Sequence, residues 1–229
     1  MLMCGAALQR QQAANPFFFL SNSVDGKIQE QRRMKMNNTK LKGKDLINIG
    51  IYAAIYCVIM TAVAMLGFIP IMMPMLCVLV PLIGGIPMML FMTKVNKFGM
   101  ITIYAIIVGL FLWVTGMGYW PFIFGIIFGF IADKIAQSGN YKSSQKTMIS
   151  YAVFCLVIFG NFIPLFINAE AYFVTRQSFG QAYITELSAI MSHTWLAPVL
   201  AAATLICGII GANIGKALLK KHFVKAGIA

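Results

Sequence analysis

Six stretches of the chain are apolar for most of their length: 46–69, 71–92, 98–115, 119–132, 148–167 and 195–218. A hydrocarbon core about 30 Å thick takes roughly 20 apolar residues in helical form. Lipid offers no hydrogen-bond partners, so each run must satisfy its own backbone, which a helix does and an open strand does not. The two-residue alternation of a barrel strand is absent. The pattern therefore predicts an all-α integral membrane protein of six transmembrane helices. The third and fourth stretches are short, and "TGMGYWP" between them is either a turn outside the membrane or a break within one long helix.

Charge decides between these. With six crossings, every basic residue except Arg176 falls on one side. Before the first helix stand Arg10, Lys27, Arg32, Arg33, Lys35, Lys40, Lys42 and Lys44, and between helices stand Lys94 and Lys97, then Lys134, Lys142 and Lys146. After the last helix come Lys216, Lys220, Lys221 and Lys225. Five crossings would put the last group opposite the first. Cytoplasmic loops carry the excess of Lys and Arg, so both termini are expected on the cytoplasmic side of the membrane. Composition agrees: with 60% hydrophobic and 10% charged residues, the chain has too little polar surface to coat a water-soluble fold.

Residues 1–35 stand apart from the six-helix domain at 36–229. They lack the sustained apolar core of a signal peptide. Two readings stand: a disordered cytoplasmic tail, or a segment ahead of the true start at Met36, with Arg32 and Arg33 encoded by a ribosome-binding sequence. On the outer side only 168–194 is long enough for structure of its own. With Glu170, Arg176, Glu186 and His193 among apolar residues, it reads as an amphipathic helix or lid, or as a solvated loop.

Catalysis needs convergent polar groups, and the spans hold almost none. Asp45 and Asp133 sit at cytoplasmic helix ends, Glu170 and Glu186 outside, and His193 and His222 on opposite faces. No carboxylate pair, metal set or nucleophile with a base can be assembled from them, so neither an enzyme nor a metal or other cofactor is expected. The five cysteines are isolated and read as small buried hydrophobes. "GANIGKA" (211–217) fails as a phosphate-binding loop: its glycines are one residue too close, Ala217 stands where Ser or Thr would hold magnesium, and no strand precedes it. Nothing points to nucleic acid. Without an intramembrane acid for a proton relay, any uphill transport draws its energy from elsewhere.

Small residues supply the positive signal. Ala201, Thr204, Gly208, Gly211 and Gly215 share one face of the last helix, where close backbone approach substitutes for hydrophobic drive, and internal packing is expected there. On the first helix Gly50 and Ala54 form one small pair, and Ala53, Cys57 and Thr61 a second ridge, open equally to internal packing and to docking on another membrane protein. Pro70, Pro74, Pro81 and Pro87 with Gly84-Gly85 mark the second stretch as either a kinked packing helix or one lining a cavity. Trp113, Tyr119, Trp120, Asn161, Asn168, Glu170, Tyr172, Arg176, His193 and Trp195 gather at the outer ends. They form an interfacial belt or an outward pocket for a flat, polar small molecule. Asn161 lies within the fifth stretch, where its amide must find a partner, either another helix or a ligand.

The stretches "KLKGKDLINIGIYAAIY", "GGIPMMLFMTKVNKFG" and "GANIGKALLKKHFVKAG" resemble the MptD-like, or Trep/Strep, group of S components of energy-coupling-factor (ECF) transporters, over about residue 38 to the C-terminus. The resemblance implies a six-helix bundle with cytoplasmic termini that captures a vitamin or similar micronutrient from outside. It also implies partnership with a membrane T component and two ABC-type ATPases, and toppling within the membrane to release cargo inward. S components often dock through an alanine-spaced patch on the first helix. Its counterparts here are Gly50, Ala53, Ala54 and Cys57, with Cys57 departing from the alanine pattern. A self-contained small-solute channel or facilitator is the competing class. It would need a continuous polar path, and between Asn161 and the cytoplasmic end Asn213 is the only further amide.

Overall fold

A computed structural model describes residues 40–174 and 179–223, so the two readings of residues 1–35 fall on residues outside those described. From Leu41 onward the described residues belong to one compact unit. Helix α1 (Gly43–Ala64) ends in a tight 3₁₀ turn at Met65–Phe68. Next come α2 (Met72–Met92), α3 (Met100–Leu112), widened into a π-helical turn at Trp113–Met117, and α4 (Trp120–Ser138). α5 (Ser144–Phe159) is followed by three short elements: α6 (Ile163–Ile167), α7 (Ala169–Val174) and α8 (Gln181–Met191). α9 (Leu196–Leu218) closes the bundle, with a final π-helical turn at Leu219–Phe223.

Among the described residues five helices are long and apolar enough to cross a membrane, and α5 is a shorter apolar helix of 16 residues. The third crossing keeps the predicted length of 18 residues but lies two residues further along, and the fourth runs longer than the sequence pattern predicts, to 19 residues. The fifth runs shorter, because the chain turns at 160–162 and restarts as α6 with a proline in its first turn. At 1.5 Å per residue α5 spans about 24 Å. Its buried face packs mainly on α4 and α9. "TGMGYWP" is a turn: Gly116 and Gly118 both take φ 88°, a left-handed value that glycine adopts without a Cβ penalty. Of the four prolines only Pro81 and Pro87 lie inside α2; Pro70 precedes the helix and Pro74 sits in its first turn.

Helix starts at one end of the bundle are fixed by carboxylates. Asp45 accepts the Lys42 N–H at 2.8 Å, capping α1, and the ammonium of Lys97 at 2.6 Å. Asp133, fully buried on α4, reaches across to the start of α3. It accepts the Gly99 N–H at 2.7 Å, the Thr102 N–H at 3.1 Å, the Thr102 hydroxyl at 3.0 Å and the Tyr141 hydroxyl at 3.1 Å. One helix thus caps another's orphan donors. At this same end Lys216 of α9 bonds the Ser144 hydroxyl of α5, and Lys134 lies 5.8 Å from the Phe98 ring. The starts of α1, α3 and α5 therefore meet the ends of α2, α4 and α9, as an even number of crossings requires.

The most extensive helix pair is α2 with α9, and it is made at backbone level. Gly85 lies against the Gly211 backbone, Gly211 against the Pro81 carbonyl, and Gly215 against the Gly85 carbonyl, with no side chain between. Gly208 meets α5 the same way, a Cβ there falling 2.8 Å from Ala152 Cα. The small face of the last helix is internal packing. A second glycine seam, not singled out from sequence, joins α3 to α4: Gly109 against Pro121 and Phe122, Gly125 against the Ala105 carbonyl. Tyr56, Phe91, Tyr104, Tyr151 and Phe154 fill the centre, with Phe91 and Tyr104 stacked at 4.5 Å and the Tyr151 hydroxyl donating to the Pro81 carbonyl at 2.8 Å.

The seam predicts an asymmetry between glycines. Gly211→Ala forces α9 off α2 and should lower the unfolding free energy in detergent micelles by about 1–3 kcal/mol. Gly50→Ala, with nothing within 4 Å of the new methyl, should leave it unchanged within about 0.5 kcal/mol.

Candidate functional site

At the end of the bundle away from the lysines, the helices part around a cavity of about 210 Å³. α1 contributes Met60 and Thr61, and the turn that follows it Met65, Gly67 and Phe68. α2 contributes Met73, Leu76 and Val80, one face of its outer half; α3 and its π-turn contribute Leu112 and Met117. From α5 and its exit turn come Ile158, Asn161 and Phe162. Tyr172 and Phe173 of α7, Phe179, and Tyr183 of α8 close it over.

The closing segment is helical because its apolar residues fall three and four apart. Tyr183, Ile184, Leu187, Ile190 and Met191 face inward, while Gln181, Thr185 and Glu186 are exposed. The 168–194 region is thus a cap of short helices for its described part. Its latch is specific: the Tyr183 hydroxyl donates to the Gly67 carbonyl at 2.7 Å, and Phe179 sits between Tyr183 at 5.0 Å and Phe68 at 5.7 Å. Burial pushes the Tyr183 phenol up to about 12 from an ordinary 10.0. The raised value means that its contribution is complete below pH 10 and is lost as pH climbs through about 12, so the latch is a neutral donor at all physiological pH.

Of the ten residues singled out for substrate binding, Asn161 and Tyr172 line the cavity. Its described lining is mainly methionine, aliphatic and aromatic, in place of the polar outward cluster read from sequence. Trp113 packs on Phe122, Tyr119 stacks on Trp120, and His193 meets Trp195, all away from the lining; Trp113, Tyr119 and Trp195 are about half exposed. Asn168 is exposed at the junction of α6 and α7, its carbonyl accepting the Tyr172 N–H at 3.2 Å. The Glu170 side chain and all of Arg176 lie outside the described residues. Sequence reasoning missed Met60, Met65, Met73, Met117, Phe173, Phe179 and Tyr183. The available signal was the gathering of methionines at the outer ends of the first three crossings.

One lining group stands out. The Asn161 side-chain oxygen is buried and has no hydrogen-bond partner among the described residues. The turn at 160–162 holds this residue at the mouth of α5, its N–H donating to the Ile158 carbonyl at 3.0 Å. An amide oxygen shut away from water without a donor is costly unless a ligand or water completes it.

The four residues considered for docking divide between two faces of α1. Gly50 and Ala54 are exposed, beside Ile47, Ile51, Ile55 and Val58, while Ala53 and Cys57 are buried in the bundle.

A bundle of long apolar helices with its lysines gathered at one end defines an integral membrane protein. The chain belongs to the Trep_Strep family of hypothetical bacterial integral membrane proteins, whose model matches residues 43–225. No curated protein and no solved structure matches it.

The latch makes a prediction. Tyr183→Phe removes one hydrogen bond worth about 1 kcal/mol, so α8 amides should exchange roughly fivefold faster in hydrogen–deuterium exchange while α2 and α9 are unaffected.

Proposed function

We propose that this chain is the substrate-capturing S component of an ECF-type importer, taking up a vitamin-like micronutrient from outside the cell. The observation that carries this reading is the capped cavity at the end opposite the lysines, with an Asn161 side-chain oxygen that has no partner among the described residues. By the positive-inside rule that end faces the exterior and both termini face the cytoplasm. A capture subunit needs this arrangement: a chamber that closes over its ligand outside and no fuel-burning machinery of its own. The glycines of "GANIGKA" are occupied in packing α9 on α2, which supports leaving ATP hydrolysis to partners. Those partners are a membrane T component and two ABC-type ATPases. The chain itself is a binding protein and not an enzyme.

The exposed Gly50 and Ala54 face of α1 offers a shallow strip on which another membrane helix can lie closely. Ala53 and Cys57, turned inward, hold α1 to its own bundle.

Purification of the tagged chain from its host membrane should bring down two ATPases and a membrane partner. Ala54→Trp should abolish that co-purification while leaving the thermal stability of the isolated chain unchanged; normal assembly of this variant would place docking elsewhere. Solute flux or ion conductance by the isolated chain in liposomes would replace the capture reading with that of a channel or facilitator.

A further inference from the structure

The chemistry of the lining restricts what it can hold. Among its described residues there is no Lys, Arg, His, Asp or Glu, and an ion moved into such a chamber loses its hydration with nothing to replace it. Three hydroxyls line it: those of Thr61 and Tyr183 already donate, to the Cys57 carbonyl at 2.8 Å and the Gly67 carbonyl at 2.7 Å, and Tyr172 carries the third. Among the described residues the Asn161 oxygen is an acceptor without a donor. Around it stand the thioethers of Met60, Met65, Met73 and Met117 and the rings of Phe162, Phe173 and Phe179, polarizable surfaces suited to the faces and edges of a flat apolar body. A volume of about 210 Å³ falls below the roughly 300–1,000 Å³ of drug-sized sites.

From this we infer that the cavity selects a small, uncharged, largely apolar molecule that presents a hydrogen-bond donor to Asn161. The inference deepens the capture reading, since it rests on this cavity being the binding site. The selection follows from elimination on the two sides of one balance. Apolar contact is available to any hydrophobe, whereas only a donor removes the penalty on the buried amide. An anion, which only accepts, would add a second unpaired group to the first; a cation could donate to Asn161 but would bring a charge that no lining residue among those described compensates.

The test uses the full chain in nanodiscs, with its methionine methyls labelled with carbon-13. Met60, Met65, Met73 and Met117 report the cavity; Met89, Met92 and Met148, beside Lys216 at the opposite end, report mere partition into the bilayer. Four probes share one ring: benzyl alcohol, its methyl ether, benzoate and benzylammonium. Benzyl alcohol should shift the four cavity signals and bind roughly three- to tenfold tighter than the ether, which cannot donate. Asn161→Leu should erase that preference while leaving the ether's affinity intact, which also shows that the variant is folded. The two ions should leave the cavity signals unmoved, and Arg176→Ala should bind benzyl alcohol as the parent does.

Equal affinity for alcohol and ether in the parent chain would overturn the inference. So would binding of either ion as tight as that of the alcohol, loss of alcohol binding in Arg176→Ala, or cavity signals that no probe moves. All of these are read on the isolated chain. Failure here therefore leaves the importer reading to its own co-purification test, and failure of that test leaves the ligand chemistry standing.

Discussion

A polar group buried in this bundle, within the hydrocarbon slab or at its lysine-bearing boundary, has little water to fall back on, and that constraint fixes how several helices meet. Its consequences can be followed group by group. Asp133 is tolerated at full burial because four donors converge on it, and in doing so it fixes where α3 starts and how α4 lies against it. Asp45 cap and Lys97 ammonium form a pair that closes the same end between α1 and the α2–α3 connection. The Tyr151 hydroxyl is absorbed by the Pro81 carbonyl. Three buried side-chain atoms among the described residues escape the rule: the hydroxyls of Tyr56 and Tyr104 and the oxygen of Asn161. The two tyrosines belong to the packed aromatic centre. Asn161 alone of the three borders the cavity.

The same helix that closes the bundle also opens it. Along α2, Pro81, Gly85 and Met89 face α9, where glycine against carbonyl leaves no room for side chains. Toward its start Met73, Leu76 and Val80 turn to the cavity. Close backbone approach in the inner half and bulky side chains in the outer half divide one helix between cohesion and enclosure. Pro81 sits at the division, its carbonyl shared between the Gly211 contact and the Tyr151 hydroxyl.

Much of the architecture was legible because it follows from coarse quantities. Apolar length and the one-sided distribution of lysine carry the number of crossings, and small residues at helical spacing carry the α2–α9 seam. The parallel seam at Gly109, Gly125 and Gly129 obeys the same logic and was equally available. What the pattern could not carry is rotation about a helix axis. Gly50 and Ala54 differ from Ala53 and Cys57 by a fraction of a turn, and a helix with apolar residues all round gives no sign of which fraction faces lipid. The cavity lining was harder to read for a related reason. In a soluble protein a polar cluster marks a pocket, whereas at a membrane boundary Trp113, Tyr119 and Trp195 are also where an interfacial belt places aromatic rings. Asn161 was legible because its amide lies within an apolar run and must be answered for. The methionines gave a weaker signal, their gathering at the outer helix ends, because one by one they are indistinguishable from core residues.

An apolar chamber in a membrane faces a competitor that a soluble protein's pocket does not. Acyl chains surround the bundle at very high local concentration, and they offer the thioethers and rings of the lining the same dispersion contacts that a ligand would. Apolar complementarity therefore supplies little discrimination here, however large its contribution to affinity. The cap reduces the competition by geometry, as the Tyr183 bond to Gly67 and the Phe68–Phe179–Tyr183 stack hold short helices across the outer end. The remaining discrimination has to come from a group that lipid tails cannot satisfy. An amide oxygen buried without a donor is such a group: an acyl chain that entered would leave its penalty in place, and a donor-bearing ligand would remove it. On the proposed reading, the buried polar atom that costs the bundle stability is thus the one that tells a ligand from the lipid around it.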